Sequence, residues 1–316
     1  MMFNPDKFIE EETERLKREV KGKAIIAASG GVDSTVCAAI VGKALGERLL
    51  AVYVDTGFMR KGETASVDKM LRRLGVNHVV VDASDEYFDA LKGVIEPETK
   101  RKIIGEKFIR VFEREAKKFG AEYLVQGTIA PDWIESGGGI RDTIKSHHNV
   151  GGLPKDMNLK LVEPLRDLYK DEVRKVGRAL KIEVAEKQPF PGPALAIRIM
   201  GEPTREAVEI VREACAIAEE EIEKAAAAGK MKLPWQYFAV LLPVRSVGVQ
   251  GDIRAYGYTI AVRAVDSVDA MTANYSKIPH DVLEQISIRI TNKMKAKVNR
   301  VVYDVTNKPP STIEWE

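Results

Sequence analysis

Short apolar runs alternate with longer amphipathic stretches through the first half of the chain. Residues 5–20 place Phe8, Ile9, Leu16 and Val20 at helical spacing among charges, which predicts an amphipathic helix. Apolar runs at 24–28, 49–54, 78–81, 123–125 and 161–162 predict strands, with helical segments between them. Such alternation predicts an α/β domain with a parallel sheet covered by helices. The rhythm breaks at 131–154, where glycines cluster among charged residues, and a long irregular loop of this kind predicts an active-site lid. Gln188-Pro189-Phe190-Pro191-Gly192-Pro193 is stiff and predicts a junction between a first domain at 1–190 and a second at 191–316. Beyond it the pattern predicts a helix at 204–228 with Thr204 as N-cap, strands at 237–242, 257–265 and 300–305, and a helix at 280–297. The second domain is therefore expected to be smaller and α+β.

Composition narrows the class. The 316 residues are 45% hydrophobic and 30% charged, enough for two globular domains with a charged surface. A net charge of +2 gives no support for nucleic-acid binding by bulk electrostatics. Cys37 and Cys215 are too few and too isolated for a disulfide framework or a zinc site. Cys37, among Val36, Ala38, Ala39 and Ile40, reads as a packed, inert thiol, with a nucleophile as the other reading. No apolar run reaches the ~18 residues of a membrane span, and no signal-peptide core is seen, so a cytoplasmic protein without a membrane partner is expected.

Candidate chemistry begins at Ser29-Gly30-Gly31-Val32-Asp33-Ser34, directly after the first predicted strand. Such a turn opening a helix presents backbone N–H groups and hydroxyls to an anion, and Asp33 supplies a carboxylate for a phosphate-bound cation. No Gly-Lys-Ser/Thr follows the glycines, so this is not the common P-loop. An ordinary turn in which the glycines only relieve crowding is the alternative. The other strands also end in polar residues: Asp55, Asp82, Gln126 with Thr128, and Glu163. In an open α/β sheet that is where ligands sit. Each of these could also be a simple cap, Asp82 most of all. The expected lid carries Asp132, Glu135, Arg141, Lys145, His147 and His148, with a solvated surface loop as the alternative. Its adjacent histidines lack the spacing of a zinc pair. Lys170 and Arg174 share a helix face and suit phosphate contacts, unless Asp171 and Glu172 partner them.

The glycine loop resembles the pyrophosphate loop of the ATP pyrophosphatase superfamily, whose members adenylate a substrate and release pyrophosphate. From this loop to its end the chain resembles the ATP pyrophosphatase subunits of the GMP synthetase family. The strings that carry the resemblance are Gln126-Gly127-Thr128, 145–154, 189–193, 242–252, 300–304 and 308–316. Two departures stand out. Many relatives read His and Gly where this chain has Gln188 and Ala194.

The resemblance implies conversion of XMP to GMP with ATP, Mg²⁺ and ammonia, through adenylyl-XMP, releasing pyrophosphate and AMP. It implies that Ser29, Gly30, Gly31, Val32, Asp33, Ser34 and Thr35 hold the ATP phosphates, with Asp33 positioning Mg²⁺. Val54, Asp55, Gln126 and Gly127 would lie near adenosine. Asp132, Glu135, Lys145 and Lys170 match residues of the adenylation step. Arg198, Gln250, Lys308, Ile313 and Glu314 match XMP contacts, Arg198 as a grip on phosphate. With no catalytic cysteine before the first strand, the resemblance also implies ammonia from a separate glutamine amidotransferase subunit. A homodimer through the C-terminal domain is implied as well. The rigid, aromatic tail at 309–316 is expected to dock in the site, and its removal to cost XMP-dependent activity while the fold survives. Amidation of deamido-NAD, thiolation of a tRNA base and a non-catalytic nucleotide sensor are the competing readings.

Overall fold

The computed structural model describes residues 3–131, 159–182, 188–250, 253–268, 270–295 and 297–316. The expected lid chemistry of Asp132, Glu135 and Lys145 lies outside the described residues. The chain forms two compact units. The first comprises Met1–Thr56, Gly62–Ala83 and Gly105–Glu186, and the second Gly57–Lys61, Ser84–Ile104 and Lys187–Glu316.

In the first unit the strands β1 (Ala24–Ala27), β2 (Leu49–Asp55), β3 (His78–Asp82), β4 (Tyr123–Val125) and β5 (Lys160–Val162) form one sheet. The order is β3-β2-β1-β4-β5 and every pairing is parallel. Ile26 lies opposite Ala51 on one side and Val125 on the other. β1 is central and almost wholly buried, which its unbroken apolar run requires.

Helix α1 (Pro5–Glu19) starts where the Asn4 side chain accepts from the N–H groups of Asp6 and Lys7, both at 3.1 Å. Helix α2 (Val32–Leu45) is apolar nearly all round, and α1 and α6 (Lys170–Ala179) pack against it. Helix α3 (Glu63–Arg73) covers β2 and β3. Between α3 and α6 come α4 (Ser84–Ala90), in the second unit, and the long α5 (Pro97–Phe119).

The second unit is α+β. A hairpin of β6 (Gln236–Gln250) and β7 (Ile253–Asp266) is joined on the far side of β7 by β8 (Asn274–Tyr275) and, in parallel, by β9 (Val298–Tyr303). Helix α7 (Arg205–Ala227), capped by Thr204, lies on β6, and α8 (His280–Lys293) lies on β9. The sequence pattern ended its strand at residue 242 because Pro243 follows, yet β6 runs on. The register shifts between Leu242 and Arg245, so Pro243 sits in a bulge where its missing N–H costs no ladder bond. Beyond that bulge Val244, Val247, Val249, Ile253 and Tyr256 are exposed. No helix among the described residues is long and apolar enough to cross a membrane.

Both cysteines are buried. Burial pushes the Cys37 thiol well up, and pushes Cys215 up to about 11. A raised thiol pKa leaves the unreactive protonated form at mildly alkaline pH. Maleimide should therefore label neither cysteine of the folded protein and both in guanidinium, read by intact-mass measurement. Labelling of the native protein at the rate of a free thiol would contradict this.

Candidate functional site

Parallel strands deliver their carboxyl ends to one edge, and the chain reverses direction across the sheet between β1 and β4. Ligands of open α/β sheets occupy such a switch point. Here it is flanked by the 29–34 loop after β1 and by Gln126-Gly127 after β4. The two segments approach closely. A Cβ added to Gly127 would meet the backbone of Asp33 at 3.4 Å and that of Ser34 at 3.5 Å.

The loop is held by its own hydroxyls. Ser29 Oγ lies 2.9 Å from Ser34 Oγ, and Ser34 Oγ and Thr35 Oγ1 donate to the Gly31 carbonyl at 3.1 and 2.7 Å. Thr35 is thereby buried and committed to the loop. Gly30 adopts φ +75° to make the turn. Gly31 is the N-cap of α2 and offers no side chain to the first-turn N–H groups. Those donors and the positive end of a buried 14-residue helix face the strand ends, an arrangement suited to an anion.

Asp33 stands at the start of that helix. Its Oδ2 accepts from Lys170 Nζ at 2.5 Å, while its buried Oδ1 has no hydrogen-bond partner. Among the described residues no cluster of three or more histidine, cysteine or acidic side chains could hold a metal by protein ligands alone. One free carboxylate oxygen nonetheless fits Mg²⁺, which takes one or two carboxylates and completes its shell with phosphate and water.

Lys170 and Arg174, expected to act together, part company. Lys170 reaches the loop, whereas Arg174 pairs with Asp171 at 3.4 Å and Glu172 accepts from the Tyr169 N–H at 2.9 Å. At the end of β2, Val54 is buried in the core, so only its main chain can meet a ligand. Asp55 Oδ2 accepts from Thr64 Oγ1 at 2.6 Å, a partner the sequence did not reveal.

The residues expected to meet a second nucleotide lie in the other unit. Arg198 ends a short 3-10 turn, Ala194–Arg198, and is fully buried. It donates to Glu314 through Nε at 3.1 Å and Nη2 at 2.8 Å, with Phe238 4.2 Å from its guanidinium carbon. Gln236 also donates to Glu314, at 2.7 Å. Only Nη1 of Arg198 lacks a partner. Lys308 Nζ donates to the Ala270 carbonyl at 2.8 Å, and Ile313 is buried. Gln250 ends β6.

Arg263, in the middle of β7, went unnoticed in the sequence and organises the tail. Its Nε donates to the Ile313 carbonyl at 2.8 Å. Its Nη1 donates to Asp304 at 2.7 Å and the Thr306 carbonyl at 3.0 Å, and its Nη2 to Ser311 at 3.0 Å and the Thr312 carbonyl at 2.8 Å. The tail is docked, as expected, but it is not a separable appendage. Removing 309–316 would strip acceptors from three buried cations: Lys100, Arg198 and Arg263. At about 3–5 kcal/mol for each broken buried pair, the loss rivals the whole stability of a domain. The expectation that this truncation spares the fold is therefore corrected.

The two departures at 188 and 194 also acquire physical content. Gln188 donates to Glu219 at 3.0 Å and accepts from the Tyr237 N–H at 2.8 Å, a bridge that needs one donor and one acceptor. Ala194 adopts φ +55°, a left-handed conformation that glycine takes without strain.

Comparison with known proteins places these features in context. A family model described as "GMP synthase C terminal domain" matches residues 220–315, and one described as "Queuosine biosynthesis protein QueC" matches residues 23–93. The chain is 56% identical to a separately encoded subunit of GMP synthase [glutamine-hydrolyzing] of Thermoplasma acidophilum, over 98% of each chain. It is 58% identical to the corresponding subunit of Methanopyrus kandleri over the full length of both. It is 55% identical to GMP synthase [glutamine-hydrolyzing] of Geobacillus kaustophilus, covering 98% of this chain but 61% of that longer one.

Two substitutions in the left-handed region should act with opposite sign. Gly30→Ala forces a side chain into that region and brings its Cβ to 2.7 Å from Val67, so stability should fall. The expected loss is about 1–2 kcal/mol. Ala194→Gly relieves the same strain, offset by the entropy of glycine, for a gain of up to about 1 kcal/mol. Urea denaturation checks both. Deleting 309–316 should abolish the cooperative thermal transition of the second unit.

Proposed function

Because the chain belongs to the GMP synthase [glutamine-hydrolyzing] family, ligases that make GMP, we propose that it aminates XMP through an adenylyl-XMP intermediate. The oxygen on the purine C2 is a poor leaving group for an incoming amine. In this reading the XMP oxygen attacks the α-phosphorus of ATP, the bond to the β-phosphate oxygen breaks, and pyrophosphate leaves. Ammonia then adds at C2, and AMP departs with the former C2 oxygen as GMP forms.

The observation that carries this reading is the 29–34 loop at the switch point, with α2 uncapped by any side chain and Asp33 Oδ1 free. Departing pyrophosphate gathers negative charge, and fixed N–H donors that need no reorganisation stabilise it. Ser29, Gly30, Gly31, Val32, Ser34 and Thr35 shape that cradle. Asp33 would hold Mg²⁺, which neutralises phosphate charge when bound. Lys170, resting on Asp33, is placed to turn toward phosphate once the carboxylate takes a cation. Gln126, Gly127, Val54 and Asp55 would border adenosine, and Asp132, Glu135 and Lys145 would join the adenylation step.

XMP recognition falls in this proposal to Gln250, Lys308, Ile313 and Glu314, with Arg198 holding Glu314 and keeping one free donor. Ammonia would come from a separate glutaminase chain. Two observations support that division: the full-length relatives are named as single subunits of a glutamine-hydrolysing enzyme, and the longer Geobacillus kaustophilus relative is matched over 61% of its length. The exposed Val247, Val249, Ile253 and Tyr256 on the hairpin support pairing with a second copy of the chain. The match to the QueC model is confined to residues 23–93, the stretch that carries the phosphate loop, and favours no tRNA substrate.

With ATP, Mg²⁺ and ammonium chloride, the protein should release AMP and pyrophosphate in equal amounts with XMP and none with deamido-NAD. Turnover of deamido-NAD alone would refute the proposal. Asp33→Asn should lower XMP-dependent pyrophosphate release by about a hundredfold or more.

A further inference from the structure

Lys100 is the unusual residue of the second unit. It lies in the first turn of α5, in a run of charges that reads as solvated surface (Lys100, Arg101, Lys102), yet it is 0% exposed. Its ammonium donates to the Ile199 carbonyl at 2.7 Å, to the Ala196 carbonyl at 3.4 Å and to the Glu316 carboxylate. Three donors meet three acceptors. The neighbouring Arg101 donates to the main-chain oxygen of Glu316 at 2.5 Å. The helix turn beneath is itself pinned, because the Glu96 carboxylate accepts from the N–H groups of Glu98 and Thr99 at 3.0 and 2.6 Å.

These contacts close a ring. Ala196 and Ile199 flank Arg198, which grips Glu314. Glu314 and Glu316 are two residues apart, so an extended chain presents both side chains to the same side. Trp315, between them, donates to Asp304 at 3.1 Å instead. One ammonium thus fixes the turn that carries Arg198 and the chain end that carries Glu314 in a single register. Both partners pay for burial, which pushes the Lys100 ammonium down and the Glu316 carboxyl up. A buried ion pair is a poor source of stability compared with an apolar pair of the same shape. What it supplies is placement.

We propose that Lys100 is a positioning residue for XMP recognition, a latch that sets where Ile313 and Glu314 stand by holding Glu316 and the Arg198 turn together. The proposal rests on the assignment of XMP to this tail. Lys100 touches no substrate and acts only through the tail.

The test uses the full-length protein with Lys100→Met, Glu316→Ala and Glu316→Gln. The first two should raise the KM for XMP about tenfold, with kcat and the KM for ATP changed less than about twofold. Glu316→Gln, which keeps an acceptor for Lys100, should recover most of that loss. Hydrogen exchange followed by mass spectrometry should quicken across 306–316 in Lys100→Met and Glu316→Ala, and stay unchanged across β1 and α2. If Lys100→Met does not fold, the Glu316 pair decides the matter alone. Unchanged KM for XMP in folded variants, or equal losses toward XMP and ATP, would overturn the latch. So would unchanged exchange across 306–316, whatever the substrate. A parent enzyme that releases no pyrophosphate with XMP would defeat the functional assignment instead, while the exchange data still judged the latch.

Discussion

A guanidinium taken out of water must have each of its five N–H donors met, and Arg263 obliges the chain to supply all five acceptors. Four of those acceptors lie between Thr306 and Ile313, and Asp304 provides the fifth. No helix or strand could place so many carbonyls around one point, so this stretch has irregular backbone and yet little freedom. Arg198 and Lys100 extend the same principle along the tail. The result is a segment without regular secondary structure that is fixed as firmly as the sheet it lies against. Rigid placement of substrate-facing groups is what differential binding of a reacting nucleotide requires.

The first unit obeys a different constraint. A parallel sheet buried on both faces leaves its strand ends as the place for polar chemistry. β1 sits between β2 and β4, so the loop that follows it is bordered on both sides by other strand ends. Gly127 lets the β4 end come within van der Waals distance of Asp33, and Gly30 supplies the turn. The loop itself is braced by serine and threonine hydroxyls bonded inward. Its backbone donors consequently need little reorganisation when charge develops before them.

Much of this was legible in the sequence because the signals were local. Continuous apolar runs located all five parallel strands to within a residue or two, and the Ser-Gly-Gly-Val-Asp-Ser string located the phosphate loop. The signals that failed were those whose meaning lies elsewhere in the chain. Pro243 ends a strand by local rules, but a bulge absorbs it. Lys100 belongs by composition to a surface, and only its three distant acceptors explain its burial. Arg263 sits between Val262 and Ala264 with nothing nearby to announce five partners some forty to fifty residues further on. Lys170 and Arg174 share a helix face, yet a carboxylate 137 residues away in sequence decides which of them reaches the loop.

The interleaving of the two units bears on how the protein is made. Synthesis runs from the amino end, and domains generally fold as they emerge. Residues 57–61 and 84–104 leave the ribosome early but belong to a unit whose main body, 187–316, follows much later. Lys100 is then a cation bound for a dry interior with none of its acceptors yet in existence. Its last acceptor, on Glu316, is also one of the last atoms to be translated. The second unit therefore cannot settle vectorially, and its maturation awaits nearly the whole message. The latch at Lys100 doubles as a check that the tail has been completed.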